Sequence, residues 1–408
     1  MPDRTPTHEP VKTARELSAE HRSPGIDVLR GLAVVLVVIQ HIHLRFRIDH
    51  YGVADLLPER IGKVLFFSGH YSVITFFVIS GFLIASLSLH RWESLERIPV
   101  LHFYRLRAAR ILPCLLLLLA VLSALHLAGA SDFVIKPERA SLGRALVAAL
   151  TFHVNWLEGQ RGYLPANWDV LWSLSVEEVF YVLFPLLCLT VRRERWVLIC
   201  MLALVVIGPL NRIALEGQQP WAGKAYLSCM DGIAFGCIAA WITARVRLGR
   251  STIGAAMILG VAAVMLIVVF RRQTVDLGLT KTGLNVTILE MGIALVLIGL
   301  AQGMGKSTLS RGTTLLQLAG RCSYEIYLVH MFVVVGLMHP FRALFGAAPH
   351  NAAIFLTSYA TMLALSILFG YAVQRWFSEP FNKALRGNRE IFRSTSVSPK
   401  HHAAARPP

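Results

Sequence analysis

Ten apolar stretches of about 18 to 25 residues recur along the chain, each long enough for a helix to cross a hydrocarbon core of ~30 Å. They cover residues 26–44, 65–89, 111–130, 170–191, 196–215, 225–244, 252–270, 284–302, 313–338 and 352–376. Lipid offers no hydrogen-bond partners, so a spanning segment must satisfy its own backbone, and runs of this length do so as helices. The fold class is therefore all-α: a polytopic membrane protein with about ten transmembrane helices.

An eleventh stretch, 142–156, is shorter and interrupted by Arg144. Cations gather at 91–110, 192–195, 245–250, 306–311 and 383–393. With ten crossings these clusters share one face, which the charge bias of membrane loops makes cytoplasmic. An eleventh crossing would send the later clusters outside, so 142–156 is expected to be one short re-entrant or interfacial helix. Both termini are then cytoplasmic, and the protein is expected in a bacterial cytoplasmic (inner) membrane.

The formal net charge of +16 does not point to nucleic acid, because Arg and Lys sit between hydrophobic segments rather than on one polar domain. Six cysteines lie in or beside apolar segments without C-x-x-C or metal-ligand spacing, so buried thiols and no metal are expected. Residues 1–23 are too polar for a secretory signal, leaving the first span uncleaved. The tails 1–23 and 386–408, rich in Pro, Ser, Arg and His, read as solvated extensions of a membrane domain at 24–385. Gly305-Lys306-Ser307 resembles the end of a phosphate-binding loop, but Leu300 stands where that motif needs Gly, which excludes nucleotide hydrolysis.

The chemistry lies in ionisable residues inside the apolar runs. Arg30 and His41 share a face of the first span, roughly 16 Å apart along a helix axis. Intramembrane charges usually face a protein interior or polar cavity and mark function. Counted from the expected membrane surface, Glu177 and Glu178 lie roughly 10 Å deep on the fourth span. His41, Glu177 and His330 are thereby predicted at comparable depth, where a carboxylate beside an imidazole suits general-base catalysis. Nearer the cytoplasm lie Arg30 and Arg105, with Arg107 and Arg110 paired at i, i+3. Paired guanidiniums fit phosphate oxygens, and also anionic lipid headgroups. Both are expected at the membrane edge.

Several motifs resemble the membrane-bound acyltransferase family 3, which includes bacterial O-acetyltransferases of surface polysaccharides. Arg30 and His41 match the first-helix signature; Phe76 to Ile84 match Phe-Phe-x-x-Ser-Gly-Phe-Leu-Ile. Arg107, Arg110, Ile111 and Pro113 match Arg-x-x-Arg followed by Ile-x-Pro. Trp172 to Tyr181, Ser323 to His330, and Glu379-Pro380 complete the set. Ser72 and Ile74 depart from the glycine and acidic residue common there.

The resemblance implies a stand-alone enzyme that takes an acyl group, usually acetyl, from cytoplasmic acyl-CoA. The acyl-CoA is a substrate rather than a bound cofactor, and the acceptor is a hydroxyl of a carbohydrate or glycoconjugate. Arg107 and Arg110 would hold the donor phosphates, with Arg30 contributing. His41 would be the general base, Glu177 its carboxylate partner and Glu178 the second choice. Ser80, Ser323, Tyr324 and His330 would line the cavity. The competing reading is a proton-coupled exporter with His41 and Glu177 as relay, although the paired repeats common in transporters are not visible.

Overall fold

In a computed structural model the described residues are 23–46, 57–92, 94–304, 312–347 and 352–386. The expected tails lie outside them except for Ser23 and Arg386, as does the cationic cluster at 306–311. Ten helices among the described residues are long and apolar enough to cross a membrane. We label them α1 (Pro24–Arg45), α2 (Gly69–Trp92), α3 (Val100–Leu127), α4 (Leu171–Val191), α5 (Glu194–Ala214), α6 (Tyr226–Arg245), α7 (Arg250–Val269), α8 (Leu284–Ala301), α9 (Ser323–Ala347) and α10 (Ala352–Val373). Stretch 142–156 forms the short helices Leu142–Leu150 and Val154–Arg161, each too short to cross.

Three departures from the expected spans matter for the site. The stretch 65–89 breaks at Ser68, separating the short helix Glu59–Phe67 from α2, and the freed Gly69 amide donates to Gln40 Oε1 of α1 at 2.5 Å. The third helix starts eleven residues earlier than expected, at Val100, so the Arg-x-x-Arg segment is helical. The ninth stretch breaks at Cys322, separating helix Thr314–Arg321 from α9.

Small residues set the packing. Lipid tails are as apolar as Leu, so close backbone approach replaces hydrophobic expulsion as the glue. A Cβ at Gly81 would overlap the Ile233 carbonyl, and one at Gly236 the Val78 carbonyl, which locks α2 against α6. Gly31 meets Leu316 and Gly320 meets Asp27 in the same way, seating helix Thr314–Arg321 on α1. α9 therefore starts beside Arg30. α2 is the most enclosed span, 72% buried against 17% for α5 and α7, so polar residues in its middle, such as Ser80, face other helices.

α5, α6 and α8 are joined by a buried ion pair. Arg212 Nη2 lies 2.7 Å from Asp231 Oδ2 and 2.7 Å from Thr287 Oγ1. Breaking a buried pair from one side strands a charge and costs about 3–5 kcal/mol. Arg212→Ala is accordingly expected to lower the thermal unfolding midpoint in detergent sharply. A midpoint equal to the parent would show that the pair carries no stability.

Candidate active site: an imidazole pair above an arginine–carboxylate layer

His41 of α1 meets His330 of α9, their ring centroids 4.9 Å apart. His330 is fully buried, and its Nδ1 lies 2.8 Å from the Tyr327 carbonyl and 3.2 Å from that of Ile326. A carbonyl only accepts, so Nδ1 carries the hydrogen and Nε2 the lone pair. That Nε2 lies 3.3 Å from His41 Nδ1, which is also 2.9 Å from the Val37 carbonyl. His41 Nδ1 must therefore carry hydrogen. His41 Nε2 is left with its lone pair and has no hydrogen-bond partner among the described residues. Protonation at Nε2 would turn the Nδ1 bonds into charge-assisted ones. Beside the pair, the Tyr327 hydroxyl donates to the Val170 carbonyl at 3.0 Å and takes a bond from Ser173 Oγ at 2.7 Å.

Toward the Arg30 end lies the second layer. Arg30 Nη2 donates to Ser323 Oγ at 2.8 Å. Glu177 Oε2 accepts from Ser80 Oγ at 2.9 Å and from the Tyr181 hydroxyl at 3.4 Å. Arg107 points inward: Nη2 donates to Glu178 Oε1 at 2.9 Å, and the guanidinium sits 3.7 Å over the Tyr181 ring. Arg110 is exposed and forms no hydrogen bond or ion pair with the described residues. The Tyr324 hydroxyl donates to the Ile111 carbonyl at 3.0 Å, tying α9 to α3.

Two sequence expectations change here. Among the described residues no hydrogen bond joins Glu177 to His41; His41 has His330 as its side-chain partner. The register of α1 and α2 explains this. Gln40 meets Gly69, and Ser80 lies eleven residues further down α2, roughly 16 Å toward the Arg30 end, carrying Glu177 with it. The sequence estimate took Val170 as the membrane surface. The structure instead buries Asn167, Trp168 and Val170 within the fold, so α4 starts deep. Arg107, expected at the membrane edge beside Arg110, is ion-paired inside.

The charges acting on His41 come from residues the sequence reading passed over: Asp169, Arg45 and Lys224. Lys224 Nζ lies 2.6 Å from Asp169 Oδ1 and 2.5 Å from Glu158 Oε2. Glu158, in the short helix Val154–Arg161, also accepts the Leu164 amide at 3.0 Å. Burial, reinforced by Asp169, pushes its carboxyl well above the usual carboxylate range, against the pull of Lys224. The available signal was ionisable residues at the edges of apolar runs, where Lys224 and Asp169 stand. Tyr327 and Ser173 were inside quoted motifs without a role. Among the described residues no group of three or more His, Cys, Asp or Glu is placed to hold a metal.

Ten membrane-length helices around an imidazole pair, with an arginine–carboxylate layer beneath, define a polytopic membrane protein with a cluster of ionisable side chains inside the bundle. Residues 23–372 match the family described as an acyltransferase domain (Acyl_transf_3), and the chain belongs to that family. It is 30% identical over 174 residues to O-acetyltransferase OatA of Staphylococcus aureus strain NCTC 8325, covering 40% of this chain and 24% of that one. It is 31% identical over 175 residues to putative O-acetyltransferase SACOL0978 of Staphylococcus aureus strain COL, covering 41% and 25%. The chain thus spans about a quarter of the length of these relatives. No solved structure matches.

Proposed function

We infer that the protein transfers an acyl group, acetyl in the first instance, from cytoplasmic acyl-CoA to a hydroxyl of a carbohydrate or glycoconjugate acceptor. The observation that carries this reading is the unpartnered His41 Nε2 in a chain of the acyltransferase family. Nε2 takes the acceptor's O–H proton as its oxygen attacks the thioester carbonyl. The C–S bond breaks and the proton passes to the CoA sulfur. His330 is a positioning residue that holds the tautomer. The Arg30 end faces the cytoplasm, where the exposed Arg110 meets the donor's phosphates and Arg30 lies on the path of the pantetheine arm. The relatives named O-acetyltransferase support acetyl as the group moved.

The test is calorimetric titration of acetyl-CoA into the detergent-solubilised protein and its Arg110→Ala variant. A charge-assisted phosphate contact contributes about 1.5–3 kcal/mol, so the variant is expected to bind roughly 10- to 100-fold more weakly. Absence of acetyl-CoA binding to the folded parent protein would overturn the donor assignment.

A further inference from the structure

At the His41 end, the cluster around Lys224 is built from three separate parts of the chain: helix Val154–Arg161, the turn leading into α4, and the short helix Trp221–Lys224. Its ammonium is engaged on every side. Two carboxylates take hydrogen bonds, and the Tyr163 and Trp172 rings lie 4.5 and 5.2 Å from Nζ. A buried Lys between two acids holds those acids in place and has little charge left for an incoming anion. Glu158 is sealed, but the Asp169 side chain keeps 27% of its surface, and among the described residues its only hydrogen bond uses Oδ1. Asp169 Oδ2 is therefore a fixed, accessible acceptor.

Aromatic faces flank it. Tyr163 is 58% exposed, and exposed His70 stacks on Trp172 with an interplanar angle of 24°. Asp169 immediately precedes Val170, whose carbonyl holds Tyr327, and the Tyr327 carbonyl in turn holds His330. His330 in turn meets His41, so three hydrogen-bond links join the residue beside the open carboxylate to the base.

Such a setting has a defined ligand chemistry. A carboxylate with a free oxygen accepts hydrogen bonds from hydroxyls, and ring faces cover the C–H face of a sugar, burying apolar surface without needing charge. Resting on the acyl-transfer reading above, we propose that Asp169, oriented by Lys224 and flanked by the exposed Tyr163 and by His70 backed on the buried Trp172, forms the acceptor subsite and takes an uncharged, polyhydroxylated ring such as a hexopyranoside. An acidic sugar is disfavoured, because its carboxylate would meet Asp169 with Lys224 already committed. Asp169 binds a hydroxyl neighbouring the one acylated, and His41 Nε2 takes the proton of the reacting one.

Saturation-transfer NMR on the 408-residue chain in detergent tests this with methyl β-D-glucopyranoside and methyl β-D-glucuronide as probes. The glucopyranoside is expected to bind, and the glucuronide about tenfold more weakly. Asp169→Asn and Tyr163→Leu are each expected to weaken glucopyranoside binding about tenfold. The exposed Tyr163 gives a variant with little folding risk. The proposal is overturned if the folded parent binds no pyranoside, if it binds the two probes equally, or if both variants keep parental affinity. A lower melting point alone in Asp169→Asn would mark a purely structural ion pair. Acetyl-CoA titration of the same samples separates the two readings. Pyranoside failure with acetyl-CoA bound removes only the subsite, while loss of acetyl-CoA binding with the pyranoside bound removes the donor reading.

Discussion

His41→Ala is expected to cut acyl transfer by about 10²–10⁴, the usual contribution of a positioned general base, while acetyl-CoA affinity stays at the parental value. The split follows from depth. His41 lies one layer away from the arginines that meet the donor, and its partners are a backbone carbonyl and another imidazole. Full transfer by His41→Ala would remove the imidazole from the mechanism. His330 separates positioning from chemistry. Its Nε2 only has to accept from His41 Nδ1, a task the amide oxygen of Gln can perform and Leu cannot. His330→Gln should therefore keep most of the turnover, and His330→Leu should lose it through kcat with KM for acetyl-CoA unchanged. Equal losses in both variants would point to a packing role for the buried ring instead.

The helical bundle was legible in the sequence because membrane crossing imposes length and hydropathy directly on the chain. The short eleventh stretch, expected from charge alternation to be one non-crossing helix, is instead two helices, neither long enough to cross. His41 and His330 were legible because each is an ionisable residue inside an apolar run. Their comparable depth followed from counting along two spans that run in the same direction, with Arg30 beside Ser323 and His41 beside His330. Glu177 failed the same count for a physical reason. The apolar-to-polar boundary before α4 marks the end of a helix, not the membrane surface, and the chain before it remains buried with Asn167 and Trp168. That error hid Asp169, which occupies the depth assigned to Glu177. Lys224 was harder to see, since its role depends on two carboxylates 66 and 55 residues away. Nor does i, i+3 spacing tell which of two arginines turns inward. Arg107 does so because Glu178 and the Tyr181 face offer it a site on α4, and Arg110 has no such partner.

That difference gives the second large effect. Arg107→Ala leaves Glu178, 6% exposed, without its cation, and removing one partner of a buried ion pair costs about 3–5 kcal/mol. The variant is expected to melt well below the parent and to accumulate poorly in the membrane. Arg110→Ala, at an exposed position, should stay within about 0.5 kcal/mol of the parent and lose donor affinity instead. A double variant, Arg107→Met with Glu178→Leu, decides whether Arg107 also touches the donor. Replacing a buried pair with apolar side chains of similar volume is often neutral or stabilising, so the fold is expected to recover. If acetyl-CoA affinity recovers with it, Arg107 serves the site only by anchoring α3 to α4. If stability returns and affinity does not, the Arg107 guanidinium swings from Glu178 to the donor's phosphates on binding, and Glu178 becomes the group that holds it ready.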